Sequence, residues 1–457
     1  MIFDQSGLPA SLLEVLAELK LHTMTPIQER AIPLLLQGRD LIGQSQTGSG
    51  KTAAFALPLL SSIQLGQRTP QALVMCPTRE LCTQVAREIR KLGRRLPGLQ
   101  VQILSGGQPI RSQIAAMQSG LHIAVATPGR LLDHLERKTL SLGRVQTVVL
   151  DEADRMLDMG FLDDISKVFE FLPKQRQTVF FSATFDDPIE SVSRRFQRNP
   201  ARITIEETTL QSLHIEQIFY EVADDAQKAE ALRWLLLERQ PASALVFVRL
   251  RATANDLAEL LRQAGLSSDA LHGDLEQFDR DRALARFRNQ STRVLVATDV
   301  AARGLDVLDL DLVVNFDLPG QADSYIHRIG RTGRAGKTGL AISLGTAREQ
   351  ARLDHYQNLT GVSIERRGYL PESPLAAPAQ ALMSTLHIWG GRKDKIRPGD
   401  ILGALTGELG LSAQDVGKIE IHDRFCYVAV TASLARQAAH DLSLGHIKGR
   451  KFRVVVL

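Results

Sequence analysis

The chain has 457 residues, of which 44% are hydrophobic, and carries 55 Lys and Arg against 51 Asp and Glu. This length and composition suffice for two or three domains with sizeable cores. The three cysteines form no C-x-x-C pair, which argues against a zinc site and a secreted disulfide scaffold. No basic-then-apolar leader opens the chain, and no apolar run approaches the roughly 18 residues of a membrane span. We therefore expect a cytoplasmic protein without membrane association.

A strand, a turn and a helix are predicted between residues 40 and 60, from the apolar stretch 40–43 and the helix-like run 51–60. The turn between them is Ser45, Gln46, Thr47, Gly48, Ser49, Gly50, Lys51 and Thr52. Such a turn presents backbone N–H groups to phosphate, a lysine to its charge and a hydroxyl to Mg²⁺. A strict phosphate loop has Gly where this chain has Ser45. The alternative, a solvated turn before a surface helix, leaves the acidic pair described next without a purpose.

Apolar β-like runs separated by helix-like stretches continue to residue 205. They cover residues 72–76, 101–104, 123–126, 147–150 and 178–181. This alternation predicts a parallel sheet covered on both faces. Asp151 and Glu152 end the fourth run, and carboxylates at the C-terminal end of such a strand lie where open α/β sheets bind ligands. With the glycine-rich turn they predict an enzyme that hydrolyses nucleoside triphosphates.

A second series of runs repeats the scheme, at residues 244–248, 294–297, 312–316 and 340–344. We therefore predict a first α/β domain over 1–205 and a second over 206–365. Residues 366–380 are rich in proline and are predicted to be a linker. The remaining residues, 381–457, form a third domain.

The third domain is predicted to have the element order β-α-β-β-α-β. Its strands are predicted at 386–389, 418–422, 425–430 and 452–456, and its helices at 398–409 and 434–442. This order is that of the small α+β fold used by RNA-recognition motifs. The third strand places Phe425 and Tyr427 on one face, because side chains alternate along a strand.

The third domain also holds the formal charge excess of the chain. It has 11 Lys and Arg against 7 Asp and Glu, a net charge of +4, which equals the net charge of the whole chain. Most of the excess lies in two clusters: Arg392, Lys393, Lys395 and Arg397, and Lys448, Arg450, Lys451 and Arg453. We interpret these clusters as phosphate contacts. The alternative is that they only keep the surface soluble.

Motif by motif, the chain resembles the DEAD-box RNA helicases of superfamily 2. The first half carries Thr25-Pro26-Ile27-Gln28 with Phe3 upstream, the phosphate loop, Pro77-Thr78-Arg79-Glu80-Leu81, Gly106-Gly107, Thr127-Pro128-Gly129-Arg130, Asp151-Glu152-Ala153-Asp154 and Ser182-Ala183-Thr184. The second half carries Val246-Phe247-Val248, His272-Gly273-Asp274, Ala297-Thr298-Asp299, Arg303-Gly304-Leu305-Asp306 and His327-Arg328-Ile329-Gly330-Arg331-Thr332-Gly333-Arg334.

The resemblance implies two tandem RecA-like domains that bind ATP and RNA across their cleft. It implies that Lys51 neutralises the β- and γ-phosphates, that Thr52 and Asp151 hold Mg²⁺, and that Glu152 orients or deprotonates the attacking water. Arg331 and Arg334 resemble arginine fingers. The resemblance implies that Gln28 and Phe3 contact the adenine base and that Asp306 contacts the nucleotide. It assigns RNA contacts to Pro77, Thr78, Arg79, Gly107, Thr127, Gly129, Arg130, Gly273 and Thr298.

Residues 390–400, Gly-Gly-Arg-Lys-Asp-Lys-Ile-Arg-Pro-Gly-Asp, resemble the start of the tail of the DbpA group within this family. That resemblance implies a target in large-subunit ribosomal RNA, a role on the pre-ribosomal particle during assembly, and a monomer. Arg424, Val430 and His387 depart from the aromatic signature of RNA-recognition sheets. We therefore expect contacts from basic loops and edges to carry more of the binding than base stacking does.

Four other functions share parts of this pattern. An ATP-gated RNA clamp would use the same residues without separating strands. A DNA translocase is disfavoured by the D-E-A-D sequence, and a structural RNA-binding protein with an inactive core by intact Lys51, Asp151 and Glu152. A metabolic P-loop kinase has no use for Arg328 to Arg331 or for Ser182 to Thr184.

Overall fold

The computed structural model describes residues 2–45, 49–185, 187–205, 215–302, 309–333, 338–360, 363–369 and 377–457. Five predicted site residues lie outside these ranges: Gln46, Thr47, Gly48, Asp306 and Arg334. The described residues form two α/β domains and a small C-terminal domain, which confirms the predicted fold class.

The first domain is a seven-stranded parallel sheet with strand order β3-β4-β2-β5-β6-β1-β7. Its strands are β1 (Leu41–Gln44), β2 (Ala72–Met75), β3 (Val101–Leu104), β4 (Ile123–Ala126), β5 (Thr147–Asp151), β6 (Gln177–Ser182) and β7 (Ala201–Thr204). Its helices are α1 (Ala10–Glu18), α2 (Pro26–Leu36), α3 (Lys51–Ser62), α4 (Arg79–Leu92), α5 (Ile110–Met117), α6 (Pro128–Glu136), α7 (Ala153–Asp158), α8 (Leu162–Glu170) and α9 (Asp187–Phe196).

Alternation along the strands builds a core on each face of this sheet. In β2, Ala72 and Val74 join one apolar cluster, whereas Leu73 and Met75 join the other. All four side chains are at most 1% exposed, as expected for a strand with helices on both sides. The sheet is therefore a rigid platform, and the loops after its strands carry the site.

The second domain repeats the architecture, with strand order β10-β11-β9-β12-β13-β8-β14. Its strands are β8 (Ile215–Glu221), β9 (Ala244–Val248), β10 (Ser268–Leu271), β11 (Val294–Thr298), β12 (Leu312–Asn315), β13 (Gly339–Gly345) and β14 (Glu365–Gly368). Its helices are α10 (Asp225–Arg239), α11 (Arg251–Gln263), α12 (Gln277–Arg288), α13 (Asp299–Ala302), α14 (Ala322–Ile329) and α15 (Gln350–Thr360).

The second sheet extends beyond its predicted end. Strand β14 pairs in parallel with β8 and reaches Gly368, so residues 366–368, which we predict to be linker, belong to this sheet. Their sequence Arg-Arg-Gly has no apolar pattern because β14 is an edge strand, which water can cover.

The C-terminal domain is a four-stranded antiparallel sheet with strand order β16-β17-β15-β18. Its elements are β15 (Met383–Ile388), α16 (Pro398–Gly403), a π-helical turn (Ala404–Glu408), β16 (Val416–Ile421), β17 (Cys426–Thr431), α17 (Ala435–Leu444) and β18 (Val454–Val456). The predicted β-α-β-β-α-β order is confirmed. The helices cover one face of the sheet, where Leu386, Val428 and Ile401 are fully buried.

The chain divides into two compact units. The first domain is one unit, and the second domain together with the C-terminal domain is the other. None of the helices in the described ranges is long and apolar enough to cross a bilayer.

Candidate ATP site and RNA interface

Strand order in the first domain sorts the predicted motifs into two groups. The phosphate loop, the D-E-A-D segment and the S-A-T segment follow β1, β5 and β6, which are neighbours in the sheet. The three predicted RNA motifs follow β2, β3 and β4, which are also neighbours. Since the carboxyl ends of parallel strands meet at one edge, ATP motifs gather on one half of that edge and RNA motifs on the other.

The described part of the phosphate loop is held by its own residues. Lys51, at the start of α3, is 7% exposed and donates from Nζ to Ser45 O at 2.9 Å. Ser45, which replaces the expected glycine, accepts at Oγ from Ser49 Oγ at 3.0 Å. The hydroxyl of Ser45 thus joins the two arms of the loop. Thr52 follows in the first turn of α3, where a hydroxyl can face a phosphate-bound cation.

Gln28 lies against the phosphate loop, as an adenine-reading residue requires. Its Oε1 accepts from Thr25 N at 2.9 Å, and its Nε2 donates to Gly50 O at 3.1 Å. A carboxamide has two N–H groups and two lone pairs, so one of each remains for a base edge. Gly50 has φ of 91°, and a side chain there would meet Gln28 Nε2 at 2.5 Å. The glycine therefore permits this contact.

Phe3 does not fit its predicted role. Its side chain is 3% exposed and packs in the apolar core with Leu12, Leu16 and Ile27. A ring buried on both faces has no free face for adenine. Phe3 instead supports the segment that leads to Gln28, because its N–H donates to His22 O at 3.2 Å.

Asp151 fits the predicted metal role. It ends β5, is 3% exposed, and its Oδ1 is buried without a hydrogen-bond partner among the described residues. Burial raises the pKa of Asp151 to about 6, while the nearby Lys51 acts in the opposite direction. An unpartnered buried carboxylate oxygen is costly unless a cation or donor completes it. Asp151 and the Thr52 hydroxyl therefore suit Mg²⁺, which prefers oxygen ligands.

Glu152 is held in an unusual backbone conformation. Its φ of 56° is left-handed, which a non-glycine residue adopts at a cost of roughly 1–3 kcal/mol. Its Oε2 accepts from Arg155 Nη1 at 3.1 Å, and both side chains are nearly fully buried. The turn fixes the carboxylate immediately after Asp151, at the end of β5.

Asp154 joins the D-E-A-D segment to the S-A-T segment. Its Oδ2 accepts from Ala183 N at 3.0 Å and from Thr184 N at 3.2 Å. In return, Asp154 N donates to Ser182 Oγ at 3.3 Å. These bonds tie the loops after β5 and β6 together. The sequence motif contains Asp154 but does not by itself indicate this linking role.

The RNA motifs of the first domain form a second group at the same edge. Arg79 and Gly129 are exposed, and Gly107 is exposed with φ of 80°. Thr78 caps α4 by accepting from Leu81 N at 3.2 Å. Arg130 is half-buried and donates to Gln108 O at 2.8 Å. The remaining predicted contacts are the buried Pro77 and the half-buried Thr127.

In the second domain, the predicted contacts follow neighbouring strands β10 and β11. Gly273 is exposed after β10, and Thr298 is 7% exposed at the end of β11. In His272, beside Gly273, the Nε2 atom lies 2.9 Å from Asn255 Oδ1, and burial lowers the pKa of the ring. Arg331 follows α14 and is 7% exposed. Its backbone N donates to Arg328 O at 3.2 Å.

In the C-terminal domain, the two predicted basic clusters lie on contacting loops. Lys448 Nζ donates to Lys395 O at 2.8 Å, and Arg450 lies 3.7 Å from Asp394. Six basic residues of the two loops are exposed: Arg392, Lys393, Lys395, Lys448, Arg450 and Lys451. Gly391 permits the fold of the first loop, since a side chain there would meet His422 O at 2.3 Å. We call the surface formed by these six residues the basic loop pair.

The centre of the outer face of the C-terminal sheet is buried, whereas Trp389, whose ring lies against His387, is 42% exposed. Tyr427 and His387, which point away from the helices, are 0% and 1% exposed. Phe278 of α12, itself 43% exposed, packs against His387 and Phe425, with its ring centroid 5.6 Å from His387 and 5.9 Å from Phe425. Arg288 Nη2 donates to Glu420 Oε2 at 2.9 Å beside them. Phe425 and Tyr427 share a face as predicted, but that face packs on the second domain.

A phosphate loop, a buried aspartate with an open ligand position and an adjoining RNA-type surface define an NTP-driven nucleic-acid enzyme. Comparison with known families agrees: the DEAD/DEAH box helicase profile matches residues 25–192, the helicase conserved C-terminal domain matches 227–336, and the DbpA RNA binding domain matches 385–456. The chain belongs to the DEAD-box ATP-dependent RNA helicases and is of the DbpA type.

Individual relatives show the same relationship. The chain is 48% identical over 450 residues to the ATP-dependent RNA helicase DbpA of Escherichia coli (strain K12), with 98% of both chains covered. It is 43% identical to the DEAD-box ATP-dependent RNA helicase CshA of Geobacillus kaustophilus (strain HTA426), covering 80% of this chain and 78% of CshA. Among solved structures, S. cerevisiae Dbp5 bound to RNA and ADP BeF3 aligns with a TM-score of 0.71 at 35% identity, covering 80% of this chain and 95% of Dbp5.

Proposed function

We propose that this helicase remodels short duplexes in large-subunit ribosomal RNA during assembly of the large ribosomal subunit. It would do so as a cytoplasmic monomer on the pre-ribosomal particle, with its C-terminal domain supplying the address. The observation that carries the proposal is the pairing of an ATP-hydrolysing first domain with a tail whose basic loop pair is exposed. Support for the ribosomal target comes from the 48% identity with DbpA across 98% of the chain.

For hydrolysis, we assign each residue one task. Lys51 neutralises phosphate charge and Gln28 selects adenine. Glu152, whose carboxylate is held by Arg155, positions the attacking water. Thr52 and the open Oδ1 of Asp151 would hold Mg²⁺, which would supply Lewis-acid stabilisation of phosphate charge. Arg331 and Arg334, from the second domain, stabilise the γ-phosphate in the transition state.

Core contacts to RNA are assigned to backbone phosphates and therefore carry no sequence information. Arg79, Gly107, Thr127, Gly129 and Arg130 supply them in the first domain. Gly273 and Thr298 supply them in the second. Specificity must then come from the C-terminal domain as a whole, in which the basic loop pair supplies phosphate contacts to the target.

The proposal is tested by ATPase titrations of the full chain with RNA fragments. Fragments of large-subunit ribosomal RNA should stimulate at lower concentrations than random-sequence RNA of equal length. Equal stimulation by both would contradict the ribosomal target and leave the helicase family intact.

An ATP-gated clamp is the second candidate, since the same residues serve it. A short duplex with a loading strand separates the two functions: a helicase releases the strand in ATP, and a clamp only retains the RNA. We expect release.

A further inference from the structure

The buried side-chain amide of Gln113 connects two predicted RNA motifs of the first domain, the glycine pair 106–107 and the motif that contains Arg130. Gln113 lies on α5 and is 4% exposed. Its Nε2 donates to Ser105 O at 2.8 Å, directly before the glycine pair 106–107. Its Oε1 lies 3.2 Å from Arg130 Nη1 and 2.9 Å from His134 Nε2. The loop after β3 and the start of α6 are therefore joined through this side chain.

His134 fixes the direction of that amide. It is 0% exposed, one helical turn after Arg130, and its Nδ1 lies 2.8 Å from Thr139 Oγ1. Burial, followed by the nearby Arg130, lowers the pKa of His134 and favours a neutral ring. Because Gln113 Oε1 can only accept, the ring proton must lie on Nε2, and Nδ1 then shares the single hydroxyl proton of Thr139 with His134 O, which lies 3.1 Å from the same Oγ1. The amide and the ring thus satisfy each other, which stabilises one geometry.

The arrangement leaves Arg130 little freedom. Its Nη1 donates both to Gln113 Oε1 and to Gln108 O at 2.8 Å. Arg79 packs on the same loop, since a Cβ on Gly106 would lie 2.8 Å from Arg79 Nη2. The arginines of two motifs and the glycine loop between them are thus set by contacts inside the domain.

We propose that Gln113 and His134 are positioning residues for RNA: they hold Arg130 and the glycine loop in the arrangement that meets successive phosphates. This inference rests on the proposed RNA contacts of Gly107 and Arg130. Ordering a loop and a long side chain is a cost of binding unless the free protein already bears it. Because Gln113 and His134 already order the glycine loop and Arg130 in the free protein, the entropic cost of ordering them belongs to folding and not to RNA binding.

The test is an ATPase titration of the full chain with a random-sequence single-stranded RNA, comparing wild type with Gln113→Met. Methionine fills the space but makes none of the three hydrogen bonds. The RNA concentration for half-maximal stimulation should rise by about tenfold, as for one missing hydrogen bond of ordinary strength. The kcat at saturating RNA should stay within about twofold, because the ATP motifs lie on other strands.

Gln102→Ala is the matched control. This glutamine also donates to the α5 region, to Ala116 O at 3.5 Å, from the neighbouring strand β3. A role in packing alone predicts that both variants lower the unfolding temperature and leave half-saturation unchanged. Equal half-saturation in Gln113→Met and Gln102→Ala would overturn the inference.

Gln113→Glu covers the case in which the methionine variant fails to fold. It keeps an acceptor for His134 and Arg130 but sets an oxygen against Ser105 O and a negative charge beside Arg130, so the RNA concentration for half-maximal stimulation should rise. Unchanged half-saturation in this folded variant overturns the inference. Arg130→Ala tests the underlying assignment: if it also leaves half-saturation unchanged, the proposed RNA contacts fail as well, whereas a rise in Arg130→Ala alone overturns only the role of Gln113.

Discussion

Arg328 donates two parallel charge-assisted hydrogen bonds to Asp299, from Nε to Oδ1 at 2.7 Å and from Nη2 to Oδ2 at 2.6 Å. The guanidinium is 3% exposed and also donates to Asn315 Oδ1 at 3.0 Å. Its plane lies over Phe247, 4.9 Å from the ring centroid. The residue therefore ties the loop after β11 to α14, which leads to Arg331.

Replacing Arg328 by alanine should destabilise the second domain. Asp299 is one-third exposed, so water can solvate its charge once Arg328 is removed, and we expect a loss of about 1.5–3 kcal/mol, as for hydrogen bonds to a charged group. Hydrogen exchange in β11 and β12, followed by mass spectrometry, should accelerate accordingly. Arg366→Ala, which breaks the exposed pair with Asp354, should change the free energy of exchange by no more than about 1 kcal/mol. Equal effects in both variants would contradict the structural role of Arg328.

Glu152→Gln should abolish turnover while preserving the ATP-dependent complex with RNA. Glutamine keeps the size of the side chain but cannot accept a proton from water, a loss worth about 10²–10⁴ in rate. Single-turnover ATP hydrolysis and RNA retention on a filter measure the two effects. Glu136→Gln, on the exposed side of α6, is the charge-matched control. Loss of RNA retention in folded Glu152→Gln would count against the assigned role.

Arg331→Ala should lower kcat by about 10³, as removal of an arginine finger does, with a smaller effect on ATP binding. Because Arg331 is only 7% exposed, the unfolding temperature must be measured alongside. Arg348→Ala removes an exposed arginine from the same domain and should leave kcat unchanged. An unchanged kcat in folded Arg331→Ala would refute the finger assignment.

His387 should make the C-terminal domain sensitive to acid. Burial beside Phe278, with His422, Arg282 and Arg453 nearby, lowers the pKa of His387 from 6.5 to about 4. The unfolded chain binds the proton more readily, so the stabilisation is complete above pH 6.5 and is lost as the pH falls to 4. A shift of this size corresponds to at most about 3 kcal/mol.

This loss is measured by urea unfolding of the full chain at a series of pH values. Hydrogen exchange of the amides in β15 reports the free energy of unfolding of the C-terminal domain. His387→Phe should reduce the dependence between pH 4 and 6.5 and leave the part that comes from His422, whose pKa burial also lowers. His440→Gln, an exposed histidine on α17, should leave it as in wild type. A wild-type slope in His387→Phe would show that other groups cause the acid sensitivity.

Sequence pattern predicted the central strands and the site segments because buried parallel strands are continuously apolar. It did not find β7, β8, β10 or β14, which lie at or next to sheet edges and whose sequences, such as Ser-Asp-Ala-Leu in β10, are partly polar. Nor did it give strand order. The placement of β1, β5 and β6 side by side depends on long-range pairing that local periodicity does not encode.

The burial of Phe3 and the packing of the outer face of the C-terminal sheet could not be predicted from the sequence for a related reason. An aromatic residue near a motif can contact ligand or core, and only packing decides; Phe3 is in the core. Likewise, the strand pattern placed Phe425 and Tyr427 on one face but could not show that Phe278 packs against it. A surface that docks another domain can have the same composition as one that binds a ligand.

The most direct test of the central claim measures how RNA-stimulated ATPase depends on salt in the full chain and in the triple variant Lys448→Ala, Arg450→Ala and Lys451→Ala. With a large-subunit ribosomal RNA fragment, the slope of log affinity against log salt should fall by about 0.7–0.9 for each phosphate that the variant no longer neutralises. With random-sequence RNA it should hardly change. A control that removes the same charge from the first domain, Lys138→Ala, Arg144→Ala and Lys174→Ala, should match wild type on both. Equal slopes for the tail variant and this control on the ribosomal fragment would contradict the claim that the basic loop pair addresses the helicase to its RNA.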